Sequence, residues 1–160
     1  MLSLSPNHDA RSDLAAHADL APPPTATGPA AGYLVAFRTL ASLQASEQVH
    51  PDRVHALAQR IRDEGRWLAP LPIDEATGLV MDGNHRLRAA RLLGLRRLPC
   101  VLLDYADPRV AVACWRSGRP LDPRDILAAL AGHDLLPPKS TRHRFDPPLP
   151  ATRFELALLR

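Results

Sequence analysis

Hydrophobic and polar positions along the chain predict short strands alternating with helices. Tyr33 to Leu40 is apolar and suits a first strand, followed by a loop, Ala41 to His50, that carries Glu47. Pro51 stands at a first helical position, and Val54, Leu57, Ala58 and Ile61 share one helical face. Residues 51 to 64 therefore predict a helix, which Gly65 stops. Leu71 to Asp74 and Leu79 to Met81 predict two strands joined by the turn Glu75-Ala76-Thr77-Gly78. The second of these runs into Asp82-Gly83-Asn84-His85-Arg86, which opens a helix from Asn84 to Leu93 ahead of Gly94. Leu98 to Tyr105 is almost continuously apolar, as a buried strand is. Val110 to Trp115 suits either a strand or a helical turn. Asp122 predicts an N-cap, with Pro123 at the first helical position and Asp125 as the reciprocal acid, for a helix ending near Gly132. A Pro-rich stretch holding Lys139 to His143 follows, then an edge strand, Arg153 to Leu158.

Residues 1–31, rich in Ala, Pro, Ser, Thr and Asp, lack an apolar pattern and predict a mobile tail ahead of a single domain spanning 32–160. The fold class is an α/β (α+β) mix. Aromatic residues are only 4% of the 160, so Leu, Val, Ile and Ala must build the core. No run approaches the roughly 20 apolar residues that cross a bilayer, so no membrane partner is expected. Asp9, Asp13 and Asp19 interrupt the N-terminal segment, which does not read as a secretory signal. Cys100 and Cys114 each lie in an apolar run outside any CxxC spacing, and both read as buried thiols of a cytoplasmic protein. A net charge of +3 permits nucleic acid, but the arginines are spread along the chain rather than gathered. Of the 20 basic residues 19 are Arg; the exception is Lys139.

Three places carry candidate chemistry. At the Asp82-Gly83-Asn84-His85-Arg86 junction a strand meets a helix N-terminus, whose unpaired N–H groups suit a phosphate, with His85 and Arg86 as added donors. The plainer alternative makes Asp82 an ordinary N-cap and Arg86 a solvated side chain. The run Lys139-Ser140-Thr141-Arg142-His143-Arg144 suits a phosphate or carboxylate, or is a flexible basic tail. Glu47, flanked by Ser46 and Gln48, is a catalytic acid or a surface one. Trp67 and Trp115 read first as core. His50, His55 and His133 have no metal-ligand spacing with an acid or thiol.

These residues carry a resemblance. Leu43–Glu47, Arg53–Ile61, Pro72–Asp74, Val80–Arg86, Ala89-Ala90, Leu93-Gly94, Leu98-Pro99 and Asp104-Tyr105 resemble the ParB/sulfiredoxin-like superfamily. Within it, Trp115-Arg116-x-Gly118 and Leu136 to His143 are similar to the free L-serine kinases. The resemblance implies a ParB/sulfiredoxin-like single domain, a small mixed sheet with helices packed on it. It implies phosphorylation of free L-serine to O-phospho-L-serine by ATP or ADP, supplying cysteine or siderophore-precursor synthesis. Glu47 and Asp82 then match catalytic positions, with Glu47 as base. Gly83, Asn84, His85 and Arg86 match the nucleotide-phosphate loop, and Trp115, Lys139, Ser140, Thr141, Arg142 and His143 surround the substrate. Mg²⁺ would be held mainly by the nucleotide phosphates, with no metal site of protein ligands alone.

Serine and the nucleotide are the implied partners, with a downstream O-phosphoserine-using enzyme; nucleic acid is not expected. Asn84 departs from the family pattern, which has the first of two histidines there. The chain is also short for the group, which leaves no room for a further C-terminal domain. The alternative is a ParB-like nucleotide-binding regulator or DNA-binding module without kinase activity. Only one helix follows the shared region, however, and no helix-turn-helix pattern. Sulfiredoxin-like chemistry would need a cysteine at the position of Asn84.

Overall fold

The computed structural model describes residues 32–132 and 134–160. In chain order the elements are β1 (Val35–Thr39), α1 (Pro51–Glu64), β2 (Arg66–Trp67), β3 (Leu71–Asp74), α2 (Asn84–Leu92), β4 (Arg97–Leu103), β5 (Val110–Cys114), α3 (Pro123–Ala131), β6 (Thr141–Phe145) and β7 (Phe154–Glu155). Short 3-10 turns cover Leu40–Ser42 and Leu156–Leu159.

The strong apolar run of β4 explains its place. It sits in the middle of a three-stranded mixed sheet, antiparallel to β1 and parallel to β3. Because successive strand residues face opposite sides, its side chains divide between two cores. Leu98, Cys100 and Leu102 pack with Val54, Ala58, Ile61, Leu87 and Ala90 of the helices. Val101 and Leu103 face the other way, toward Tyr33, Met81, Tyr105, Val110 and Phe145. α1 and α2 pack on each other over the first of these cores. β2 pairs with β7, and β5 with β6, as separate antiparallel ribbons.

The predicted mixed sheet under helices is therefore present, and α1 has its predicted bounds. Val110–Cys114 is a strand, paired residue for residue with Thr141–Phe145. That pairing makes the last four residues of the basic run, Thr141 to Arg144, part of an ordered strand rather than a tail.

Several expectations need correction. Leu79–Met81 is not a full strand: Leu79 bridges Gln44 and Val80 bridges Ile73, because the turn at Gly78 brings this segment against two different neighbours. The first strand stops at Thr39, where Leu40 turns into the core, and β4 stops at Leu103, where Asp104 and Asp107 organise a turn. α2 ends one residue early, at Leu92, with the Leu93 N–H bonded back to Ala89. Asp122 caps α3, but its carboxylate takes the N–H and guanidinium of Arg124, so Asp125 plays no reciprocal part. The Arg153–Leu158 strand shrinks to Phe154–Glu155, limited by its two-residue partner β2. Cys100 is buried and its thiol pKa is pushed up to about 12 by burial, whereas Cys114 is only half-buried, at the end of a two-stranded ribbon. The tail expected over 1–31 lies outside the described residues. No helix among the described residues is long and apolar enough to cross a membrane.

Candidate active site

The second core leaves the end of β3 and the start of α2 at one edge of the sheet, and a cleft of about 550 Å³ opens there. Its floor is the loop Met81 to Arg86, one wall is α1, and the other is formed by Trp115, Lys139 and Thr141, with Glu47 among the lining residues.

Gly83 makes the floor. It is the N-cap of α2 in the left-handed region, at φ 98°, and no side chain caps this helix end. Asp82 is thus not the N-cap; its carboxylate is 63% exposed and lies 3.5 Å from Arg86 Nη2. A Cβ at Gly83 would come within 2.7 Å of both Arg86 Nη2 and Leu71 Cδ2. Only glycine accepts both the backbone angle and that approach. Arg86 is itself anchored, its Nη1 donating to the carbonyls of Ala69 and Pro70 at 3.1 and 3.0 Å. It places a fixed positive charge beneath the helix N-terminus instead of a mobile one.

His85 accepts the backbone N–H of His50 on Nε2 at 3.2 Å. A backbone N–H can only donate, so the ring proton sits on Nδ1. Burial first, then His50 and Arg53, lower the His85 pKa and keep the ring neutral.

Glu47 is held at both ends of its side chain. Oε1 accepts the Thr141 N–H and Oγ1 hydroxyl, each at 2.8 Å, and Oε2 accepts the Lys139 N–H at 3.1 Å. Each carboxylate oxygen offers two lone pairs. Oε1 is fully used and Oε2 keeps one acceptor direction. The grip requires a tight turn, and Lys139 adopts φ 58° to make it, a conformation that costs a residue with a side chain about 1 kcal/mol. Lys139 Nζ then lies 5.7 Å from the Trp115 ring centroid and Arg142 Cζ 5.3 Å, cation–π distances. Trp115 is 46% exposed and is a wall of the cleft, not core; Trp67 is the buried one.

The cleft brings together Glu47, Asp82, Gly83, Asn84, His85, Arg86, Trp115, Lys139 and Thr141. Three expected site residues stand outside its lining. Ser140 turns its hydroxyl to the Pro137 carbonyl, and Arg142 lies over Trp115. His143 points under the ribbon, 3.2 Å from the Tyr105 hydroxyl and stacked on Phe145. Two charged lining residues escaped the sequence reading, Arg53 and Arg60. Their signal is a seven-residue spacing, two helical turns, along the edge of the apolar stripe of α1 beside Leu57.

Burial lowers the His143 pKa to about 4, against about 6.5 for an unperturbed histidine. The unfolded chain binds this proton first, so the stability tied to the neutral ring is complete above pH 6.5 and is lost as pH falls toward 4. Discounted for the ring's partial solvent access, the loss is about 2 kcal/mol. Urea denaturation at pH 7 and pH 4 should show it, and His143→Phe should remove that share of the difference.

The fold and cleft define an α/β domain in which an uncapped helix N-terminus, four cationic side chains (Arg53, Arg60, Arg86 and Lys139) and the Glu47 carboxylate line one cleft. Known proteins supply the context. The chain is 34% identical over 73 residues to an ATP-dependent L-serine kinase of Staphylothermus marinus, covering 43% of this chain and 29% of that protein. It is 30% identical over 93 residues to the ATP-dependent L-serine kinase of Desulfurococcus mucosus, covering 56% and 36%. It thus spans about a third of the length of these curated relatives. A solved free serine kinase carrying a glutamate-to-glutamine substitution, in complex with AMP, superposes with a TM-score of 0.71 at 13% identity, over 79% of this chain and 94% of that one. The chain therefore has the fold of that kinase. No protein-family model matches it.

Proposed function

We propose that this chain phosphorylates free L-serine to O-phospho-L-serine with ATP or ADP as donor. The observation that carries the reading is the fixed Glu47 carboxylate lining the same cleft as the uncapped N-terminus of α2. Sequence similarity to two L-serine kinases and a shared fold with a third support it.

Phosphoryl transfer needs positioning and charge stabilisation more than covalent help. The N–H groups at the start of α2, Nδ1–H of His85 and the guanidinium of Arg86 would receive the transferred phosphoryl group and its oxygens. Arg53 and Arg60 on α1 would hold the rest of the polyphosphate. The free lone pair of Glu47 Oε2 takes the proton from the serine hydroxyl as its oxygen attacks phosphorus and the bond to the nucleotide oxygen breaks. Lys139 and the rim of Trp115 would face the amino acid, whose carboxylate suits a compact ammonium.

Among the described residues no three His, Cys, Asp or Glu side chains gather as a metal site. Mg²⁺ fits as an ion carried by the phosphates with Asp82 as its protein contact, and would neutralise phosphate charge. O-Phosphoserine made here would pass to an enzyme that consumes it.

The test is a panel of amino acids offered with each nucleotide, with products read by mass spectrometry. Serine should be phosphorylated; exclusive conversion of a different hydroxy amino acid would overturn the assignment of the acceptor.

A further inference from the structure

Asn84 begins α2 beside the phosphate loop, yet its side chain is turned away from it. The residue is 8% exposed. Its Oδ1 accepts the Ser46 N–H at 2.8 Å and the Glu47 N–H at 3.3 Å. Its Nδ2 donates to Ser46 Oγ at 3.0 Å, and that hydroxyl donates onward to the Val80 carbonyl at 2.7 Å. Two backbone donors fix which end of the amide is oxygen, so the orientation follows from chemistry. The other side of the same segment is tied as well. The Ser46 carbonyl accepts the Leu136 N–H, and the Leu136 carbonyl accepts the Gln48 N–H.

From this network we infer that Asn84 is a positioning residue for Glu47 rather than a phosphate ligand. It clasps the backbone of the catalytic acid to the first residue of the phosphate-binding helix, so that base and phosphate site share one rigid frame. The inference deepens the kinase reading and rests on it for the role of Glu47. An asparagine suits the task because it accepts two N–H groups on one oxygen and donates from the same amide. An imidazole nitrogen has one lone pair and accepts only one. The clasp is buried, and buried polar networks hold position strongly when every member is satisfied.

Asn84→Ala should separate two quantities. A shift of the acid by about 1 Å can cost on the order of 100-fold in rate, so kcat should fall by about 30- to 100-fold. ADP affinity, measured by calorimetry, should stay within about threefold, because the donors of the loop itself are untouched. Hydrogen exchange supplies a readout that needs no turnover. The Ser46 and Glu47 amides should lose about tenfold or more of their protection, while the Leu87 amide, bonded to the Gly83 carbonyl, keeps its own.

If Asn84→Ala does not fold, Ser46→Ala takes its place. Ser46 is 2% exposed and is not part of the cleft lining, so a phosphate-ligand role for Asn84 leaves this variant at wild-type kcat, whereas the clasp lowers it severalfold at unchanged ADP affinity. Wild-type kcat in Ser46→Ala overturns the inference. So does Asn84→Ala with unchanged Ser46 and Glu47 exchange, or with ADP affinity lost and kcat retained. Exchange and ADP binding judge the clasp independently of whether serine is the acceptor.

Discussion

Glu47→Gln should lower the rate of serine phosphorylation by at least about 1,000-fold, near the upper range for loss of a general base, with ADP binding within about threefold of the parent. The amide is nearly the same size, so the cleft is kept. Its oxygen can still accept the Thr141 N–H and hydroxyl, which take Oε1 in the parent. Its NH₂ then faces the Lys139 N–H, where Oε2 accepts at 3.1 Å. Two donors meet, the turn at Lys139 loosens, and no lone pair is left for a serine proton. Steady-state kinetics with calorimetry for ADP checks both halves. A variant retaining a tenth of the parent's kcat would remove Glu47 from the chemistry and leave it only as the latch on residues 139–141.

Gly83→Ala should damage stability and nucleotide binding together. The residue stands at φ 98°, where an L side chain is strained, and its Cβ would lie 2.7 Å from Arg86 Nη2 and Leu71 Cδ2. Neither neighbour yields easily. Leu71 is fully buried, and Arg86 is bonded to two carbonyls. The backbone strain and the displaced guanidinium together predict a loss of more than about 2 kcal/mol. ADP affinity should fall at least tenfold, because the helix N-terminus and Arg86 move as one. Urea denaturation with an ADP titration measures both; unchanged affinity in a folded variant would place the phosphates elsewhere.

Local signals in the sequence located most elements. Pro51, the apolar spacing through Ile61 and Gly65 were enough for α1, and the continuous apolar run was enough for β4. The mistakes came where tertiary partners decide. Val110–Cys114 could not be assigned without its partner Thr141–Phe145, whose paired residues lie 27 to 35 positions further along the chain. The plainer alternative for Asp82, an ordinary helix cap, fails because the left-handed Gly83 takes that position.

In the site, residue types and motif spacing indicated the phosphate loop, and the family resemblance joined it to Glu47 and Lys139. What no spacing indicated was direction. Arg142 and His143 occupy the same strand as Thr141, yet Arg142 alternates to the other face and lies over Trp115, while His143, on the face of Thr141, is taken up by Tyr105 under the ribbon. The resemblance matched Asn84 to the phosphate loop, whereas its amide oxygen accepts the N–H groups of residues 46 and 47. Arg53 and Arg60 border the apolar stripe of α1 beside Leu57, where arginines are usually only solvated. Lys139, the one lysine in the chain, sits at the strained turn that Glu47 grips.

Transfer of a phosphoryl group to a free amino-acid hydroxyl is followed most plainly by ³¹P NMR of the purified chain with Mg²⁺, L-serine and either ATP or ADP. A phosphomonoester resonance of O-phosphoserine should grow only when serine is present and be missing with Glu47→Gln. Nucleotide that binds but stays intact, or that yields only inorganic phosphate at a rate indifferent to serine, would contradict it.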